Sequence, residues 1–441
     1  MNALELARAI RTGERRAVGV IETCLDRVTR RDGGINAVTR LLARRALDQA
    51  RHVDARVAEG IDPGPLAGVP FGIKDLFDVE GVVTTAGSRV LADRPVADCD
   101  AALVSRLVEA GAIPLATTNM DEFAYGFATD NAHYGLTRNP HDPSRLAGGS
   151  SGGSAAGVAA GYFPLSLGSD TNGSIRVPAS LCGVWGLRPT QNLFPTEGSF
   201  PFVASLDTVG PFVSSAADLR VVTEILSGQA LRAVEAGSLR LARLGGWFDT
   251  DLSAPMAAAL NNFCRALSIT QEVDLPRVDA ARAAAFVISA SEGGALHLQT
   301  LRSQASLYDP AVRDRLLAGA LVPAPHVFQA HKLRRWFRAA MHEAFAQADI
   351  LVAPAVVGEA PPIDAPMIMV SGRSVPARAN LGLYTQPLTL AGFPVLTVPL
   401  AVKGLPLGLQ LVAQPGREDR LVALGETLER AGLARARILE D

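Results

Sequence analysis

The chain has 441 residues, 48% of them apolar and 20% charged, with a formal net charge of −2. Such a chain can bury a large core, and neither a disordered segment nor a highly charged tail fits it. The balanced charge gives no overall attraction to nucleic acid or anionic lipid. No apolar run reaches the ~18 residues of a membrane span, and the start Met1-Asn2-Ala3-Leu4-Glu5 turns polar too early for a secretory leader. A cytoplasmic protein with no membrane or direct nucleic-acid contact is expected.

Leu4, Leu6, Ala7 and Ile10 recur with helical spacing, and apolar stripes over Val18 to Val28 and Ala43 to Ala58 extend the pattern. The first 60 residues therefore read as a helical layer. From about residue 67 short apolar runs alternate with helices, as in helix-like Ala101 to Ala110 followed by strand-like Ala112 to Ala116. The stretch from Gly148 to Thr190 is rich in Gly, Ser and Ala and reads as a helix over Ser154 to Ala160, a strand over Phe163 to Leu167, then a glycine turn. A helix over Ala216 to Leu226 follows, and then an interrupted helical run from about Pro255 to Gln347. Strands over Val395 to Val402 and Leu407 to Val412 and a helix over Arg417 to Ala431 end the chain. Gly228 to Ser238 and Val357 to Pro376 read as loops. No repeat or Pro-rich or Gly/Ser-rich linker divides the sequence, so one α/β domain over 1–441 is expected. Its parts are the helical layer at 1–60, a core at 67–227, and further helices and closing strands at 228–441.

Cys24, Cys99, Cys182 and Cys264 stand far apart with no CxxC or Cys/His spacing, which points to buried thiols and away from zinc or a disulfide framework. None of the seven histidines lies in a triad-like or metal-like motif. No metal and no cofactor is indicated. The basic and aromatic run His331 to Arg338 reads as a solvated helix face with Trp336 or Phe337 turned inward, in preference to a nucleic-acid patch. One of its arginines, or Arg302, Arg313 or Arg378, is a candidate clamp for a substrate carboxylate.

Only three of the 42 basic residues are lysine, namely Lys74, Lys332 and Lys403. An amine can lose its proton near neutral pH when desolvated, and a guanidinium cannot, so a lysine kept in an arginine-biased chain is a candidate base. Lys74 stands out because it lies in the apolar, Gly-punctuated stretch Gly68 to Asp75.

The loop Gly148-Gly149-Ser150-Ser151-Gly152-Gly153-Ser154 leads into an Ala-rich helix, so backbone amides and small hydroxyls can approach an anion or oxyanion there. A phosphate loop is excluded because no lysine lies between residues 75 and 331. A dinucleotide fingerprint and a GxSxG nucleophile elbow at Ser150 both require a preceding strand, whereas Asn139 to Arg145 is turn-rich. The second hydroxyl cluster, Gly168 to Arg176, follows an apolar strand-like run. Its Asn172-Gly173 turn would present consecutive N–H groups beside Ser174, which suits an oxyanion hole or an ordinary turn.

The whole run from Gly148 to Thr190 resembles the signature of the amidase signature family. Gly68 to Asp75, Asn119-Met120-Asp121-Glu122-Phe123 and Leu390 to Gln410 resemble its flanking segments. The resemblance implies a single-domain α/β fold with a central mixed sheet covered by helices on both faces. It also implies hydrolysis of a small-molecule amide by a Ser-cisSer-Lys triad without a cofactor. The matching positions are Ser174 as nucleophile, Ser150 as bridging serine after a cis peptide, and Lys74 as base. The N–H groups of Thr171, Asn172, Gly173 and Ser174 match the oxyanion hole, and Tyr125 and Gly126 match the border of the acyl site. Many members have Gly-Gly-Ser where this chain has Asn172-Gly173-Ser174, which adds a side chain and narrows the pocket.

Within the family, Gly168 to Ser180 followed by Pro201 to Asp207 resembles the 1-carboxybiuret hydrolases, which act on a small anionic urea derivative. Asn119 to Phe123 and the Gly148 region resemble the glutaminase subunit of glutamyl-tRNA amidotransferase. Both branches work with a small helical partner subunit, so such a partner is expected. A general amidase and a catalytically silent scaffold are the other readings, and the retained Lys74, Ser150 and Ser174 argue against the scaffold.

Overall fold

The computed structural model describes residues 2–440. Its centre is a mixed sheet of eleven strands, ordered Val38–Leu41, Ile113–Thr118, Pro70–Lys74, Leu165–Asp170, Thr208–Val213, Trp185–Arg188, Val395–Pro399, Gly408–Ala413, Ile350–Pro354, Leu241–Leu244 and Glu272–Val273. Pro70–Lys74 runs parallel to both its neighbours, Leu165–Asp170 and Ile113–Thr118. The strands from Leu165–Asp170 through Ile350–Pro354 pair antiparallel.

Helices flank this sheet because adjacent strand residues point to opposite faces and both faces are apolar. Phe212 joins a buried cluster with the helices Ala17–Arg31, Ala43–Ala58 and Gly152–Ala159, through residues such as Ile21, Ala46 and Ala156. Its neighbour Val213 joins the other cluster, with Leu103 of Ala102–Glu109, Leu219 of Ala216–Ser227 and Leu421 of Glu418–Arg430. Among the described residues no helix is long and apolar enough to cross a membrane.

The structure corrects four local readings. The helical layer at 1–60 contains a strand, Val38–Leu41, which caps the sheet edge by pairing with Ile113–Thr118. The loop expected over Val357 to Pro376 contains the hairpin Met367–Val370 and Arg373–Pro376. Its turn is Ser371-Gly372, both at positive φ, the conformation that suits a two-residue hairpin. Before Gly148, Asp142–Leu146 is a short strand, but it pairs only with Arg138–Asn139 and stays outside the central sheet. Cys99 is exposed, while Cys24, Cys182 and Cys264 are buried.

At the centre of the sheet, Asp170 ends its strand as a fully buried carboxylate. Arg176 grips it with Nε at 2.9 Å and Nη2 at 3.0 Å, and Arg188 Nε lies 3.4 Å away. Burial alone would raise the Asp170 carboxyl, but the two guanidiniums outweigh it and hold it below the usual carboxylate range. Arg176 also donates to the Thr385 carbonyl at 3.0 Å and to Gln410 Oε1 at 2.8 Å, which ties the turn after Asp170 to elements more than 200 residues later. Removing one member of a buried pair strands the other charge. Arg176→Ala is therefore expected to lower unfolding free energy by about 3–5 kcal/mol, read from the midpoint and slope of a urea titration.

Candidate active site

Two adjacent parallel strands, Pro70–Lys74 and Leu165–Asp170, end side by side, and the loops entering two short helices close over those ends. The helix Gly152–Ala159 brings Ser150 and Ser151, and Arg176–Cys182 brings Ser174. The loops are stitched together: Ser151 N–H donates to the Ser174 carbonyl at 3.3 Å, and Asp121 N–H donates to the Ser150 carbonyl at 3.2 Å. The Gly149–Ser150 peptide is cis.

Lys74 is completely buried at its strand end. Its Nζ donates to Ser150 Oγ at 2.7 Å, Ser151 Oγ at 2.8 Å and Ser169 Oγ at 2.8 Å. Burial pulls the amine down from its ordinary value to about 7, against the opposing influence of Asp121, Asp170 and Asp207. Those three carboxylates are engaged elsewhere. Asp121 Oδ2 accepts from Ala128 and Thr129 N–H at 3.1 and 2.9 Å, and Asp207 accepts from the Thr171 hydroxyl and from Phe202 and Val203 N–H. Gly149 packs against Asp121 so closely that a Cβ would fall 2.2 Å from Oδ2, so the loop requires glycine there.

The turn Thr171–Ser174 is held from two sides. Gly173 N–H donates to Asp170 Oδ1 at 2.8 Å, and the Asn172 carbonyl accepts from Thr385 Oγ1 at 2.6 Å. Gly173 has φ +133°, and a Cβ would lie 2.1 Å from Thr385 Oγ1. With Gly173 N–H already given to Asp170, its part is to make the turn that presents its neighbours.

A narrow cleft, open at its mouth, lies over this turn and is lined by Tyr125, Gly126, Thr171, Asn172 and Ser174 among the residues singled out from sequence. Lys74 and Ser150 are not on its wall. Tyr125 packs on Phe202, with ring centroids 4.6 Å apart. Gly126 lies against Asp121, where a Cβ would meet the carboxylate at 2.4 Å.

Several contributors were missed in the sequence. Ser151 and Ser169 complete the hydroxyl shell of Lys74, and Ser289 and Gln386 line the cleft. The cation at the cleft is Arg315, with Cζ 3.7 Å above the Tyr125 ring and Nη1 donating to the Tyr125 carbonyl at 3.0 Å. Arg313 lies two residues earlier on the helix Pro310–Ala320, about 200° away around the axis, and its Nε turns to Asp314. Arg378 pairs with Asp309 at 3.1 Å, and Arg334 donates to Gln191 and to the Ser205 and Leu390 carbonyls. In the helix Ala324–Ala344 it is Phe337 that turns inward, and Trp336 is exposed.

The arrangement can carry out acyl transfer: a hydroxyl beside a turn of N–H donors, with a second hydroxyl held by an amine poised near neutrality. Among the described residues no group of three or more His, Cys, Asp or Glu is gathered that could hold a metal ion.

Comparison with known proteins finds relatives over nearly the whole chain. The model of the amidase family matches residues 19–422. AtzE of Pseudomonas sp. strain ADP, which belongs to a 1-carboxybiuret hydrolase, is 43% identical, with 99% of each chain covered. The corresponding chain of the glutamyl-tRNA(Gln) amidotransferase of Azoarcus sp. strain BH72 is 36% identical over 97% of each. A solved structure described as an unexpected vestigial protein complex that reveals the origins of an s-triazine catabolic enzyme superposes with a TM-score of 0.95. It is 43% identical, covering 99% of this chain and 100% of that one.

An amine held near 7 acts as a base only when unprotonated, so reactivity should rise with pH through that value and level off above it. Labelling of Ser174 by a fluorophosphonate, followed by intact mass, is expected to have its half-maximal rate near pH 7. Ser174→Ala should abolish labelling and Lys74→Ala should remove the pH dependence.

Proposed function

We propose that this chain, which belongs to the amidase signature family and is a hydrolase of amide C–N bonds, acts on a small anionic ureide of the 1-carboxybiuret type with release of ammonia. The observation that carries the reading is the buried Lys74 amine within 2.7 Å of Ser150, on the loop that meets Ser174 through the Ser151–Ser174 backbone bond.

In this mechanism neutral Lys74 accepts the proton of Ser150 while Ser150 takes that of Ser174, and Ser174 Oγ attacks the carbonyl carbon. The oxyanion develops against backbone N–H groups of the Thr171–Ser174 turn, where each donor contributes about 3 kcal/mol in comparable acyl-transfer sites. Gly173 N–H remains with Asp170 and stiffens that turn. Collapse of the intermediate sends the proton back through Ser150 to the leaving nitrogen, and ammonia departs. Water then adds to the acyl-enzyme along the reverse path and restores Ser174.

Arg315 supports an anionic substrate, because a guanidinium at the cleft wall can pair with a carboxylate, and its stacking on Tyr125 fixes its plane. Tyr125 and Gly126 border the acyl group. The 43% identity to a chain of the 1-carboxybiuret hydrolase supports the same substrate class. The reading includes a cytoplasmic setting and a small helical partner subunit, the latter supported by a relative solved as a protein complex. Pull-down from the native host is the test of that partner.

The experiment is ammonia release by purified protein from 1-carboxybiuret, biuret, allophanate, glutamine and a simple aliphatic amide. Selective turnover of carboxybiuret is the expected result, and turnover of glutamine alone would place the chain with the amidotransferases. Ser174→Ala, Ser150→Ala and Lys74→Ala should each lower kcat by about 10³-fold or more. Arg315→Ala should raise KM for the anionic substrate by about tenfold, with a smaller change for a neutral amide.

A further inference from the structure

Asn172 stands where the turn beside the nucleophile could have been bare backbone, and its side chain is held in one orientation. Ser289, on the long helix Val278–Gln304, spends its only proton on the Ala285 carbonyl at 2.8 Å, so its Oγ can only accept from Asn172. The atom facing it at 2.7 Å must then be the donor, Asn172 Nδ2. Oδ1 is left as a fixed acceptor, and it is buried with no hydrogen-bond partner in the protein. The residue itself is 7% exposed and lines the cleft with Ser174, Ser289 and Arg315.

We propose that Asn172 Oδ1 accepts a hydrogen bond from a substrate N–H bonded to the carbonyl that Ser174 attacks, so that the cleft selects ureides over their methylene isosteres. The proposal rests on the ureide reading above. The leaving nitrogen has to face Ser150 to be protonated, so the N–H available to Asn172 is the one on the acyl side. A buried acceptor left without a donor is how a site rejects an analogue that differs by one polar group. Arg315 would read the charge of such a substrate and Asn172 its N–H.

The test uses the full chain and two isosteric pairs: biuret with malonamide, and ureidoacetate with succinamate. Only the first member of each pair has N–H where the second has CH2. For each pair the ratio of kcat/KM is compared between variants, which cancels intrinsic reactivity and any loss common to both substrates. In Asn172→Ala the ureide-to-methylene ratio is expected to fall by about tenfold or more. Ser289→Ala, which frees the amide to turn, should lower the ratio in the same direction by a smaller factor. A ratio within twofold of wild type in both variants would overturn the proposal, as would wild-type turnover of malonamide and succinamate but of neither ureide; the amidase reading would survive either result. Turnover of glutamine alone would overturn the ureide reading and this proposal together.

Discussion

A lysine amine fully buried at the end of a sheet strand has to be made tolerable before anything else in this fold can work. Three serine hydroxyls surround Lys74 Nζ at 2.7–2.8 Å and replace its water shell. Three carboxylates are near enough to act on the amine through space, yet each is engaged by its own donors. The amine therefore experiences a favourable field without a direct ion pair. A carboxylate in contact would have held the proton on Lys74 and made it useless as a base, whereas burial with neutral hydroxyls leaves it near 7.

The second constraint is on the turn that presents Ser174. Such a turn, one residue after a strand end, would be loose if only local hydrogen bonds held it. Here Asp170 takes the Gly173 and Ile175 N–H groups and is itself clamped by Arg176. Arg176 reaches Gln410 in a closing strand and Thr389 in the helix Thr385–Ala391. The late part of the chain thus fixes the geometry of the early part. Asp170, Arg176 and Thr385 act on the site through the turn, at a distance from any reacting atom.

What could be read from sequence follows from where the information resides. Lys74 stood out as a rare lysine in a glycine-punctuated apolar stretch, whereas Ser150 and Ser174 were assigned through the resemblance of Gly148 to Thr190 to the amidase signature, the Gly, Ser and Asn of their loops alone leaving an ordinary turn open. The long amphipathic helices and the closing strands were legible from periodicity. Arg315 and Ser289 were not, since nothing local separates them from other arginines and serines on helices. Their position comes from helix phase and from packing between elements more than 100 residues apart, as in the Asn172–Ser289 bond. Val38–Leu41 was missed for a related reason: four residues are too few to show a period, and pairing with Ile113–Thr118 decides their state.

This distribution divides the work of the molecule. The proposed proton relay is built on strand ends and the loops directly attached to them, with backbone ties that tolerate little change, as the close quarters at Gly149 and Gly173 show. The cleft wall that would face a substrate draws instead on Phe286 and Ser289 of one helix, Arg315 of the next and Gln386 of a third. Phe286, Ser289, Arg315 and Gln386 make no bond to the hydroxyl shell of the amine, so they can vary without moving Lys74 or Ser150, whereas Thr385, beside Gln386 on the same helix, holds the turn of Ser174. Asn172 is where the two systems meet: its backbone belongs to the turn and its side chain to the cleft wall. A change there alters recognition and catalysis together, which is why ratios between matched substrates, rather than single rates, separate its two parts.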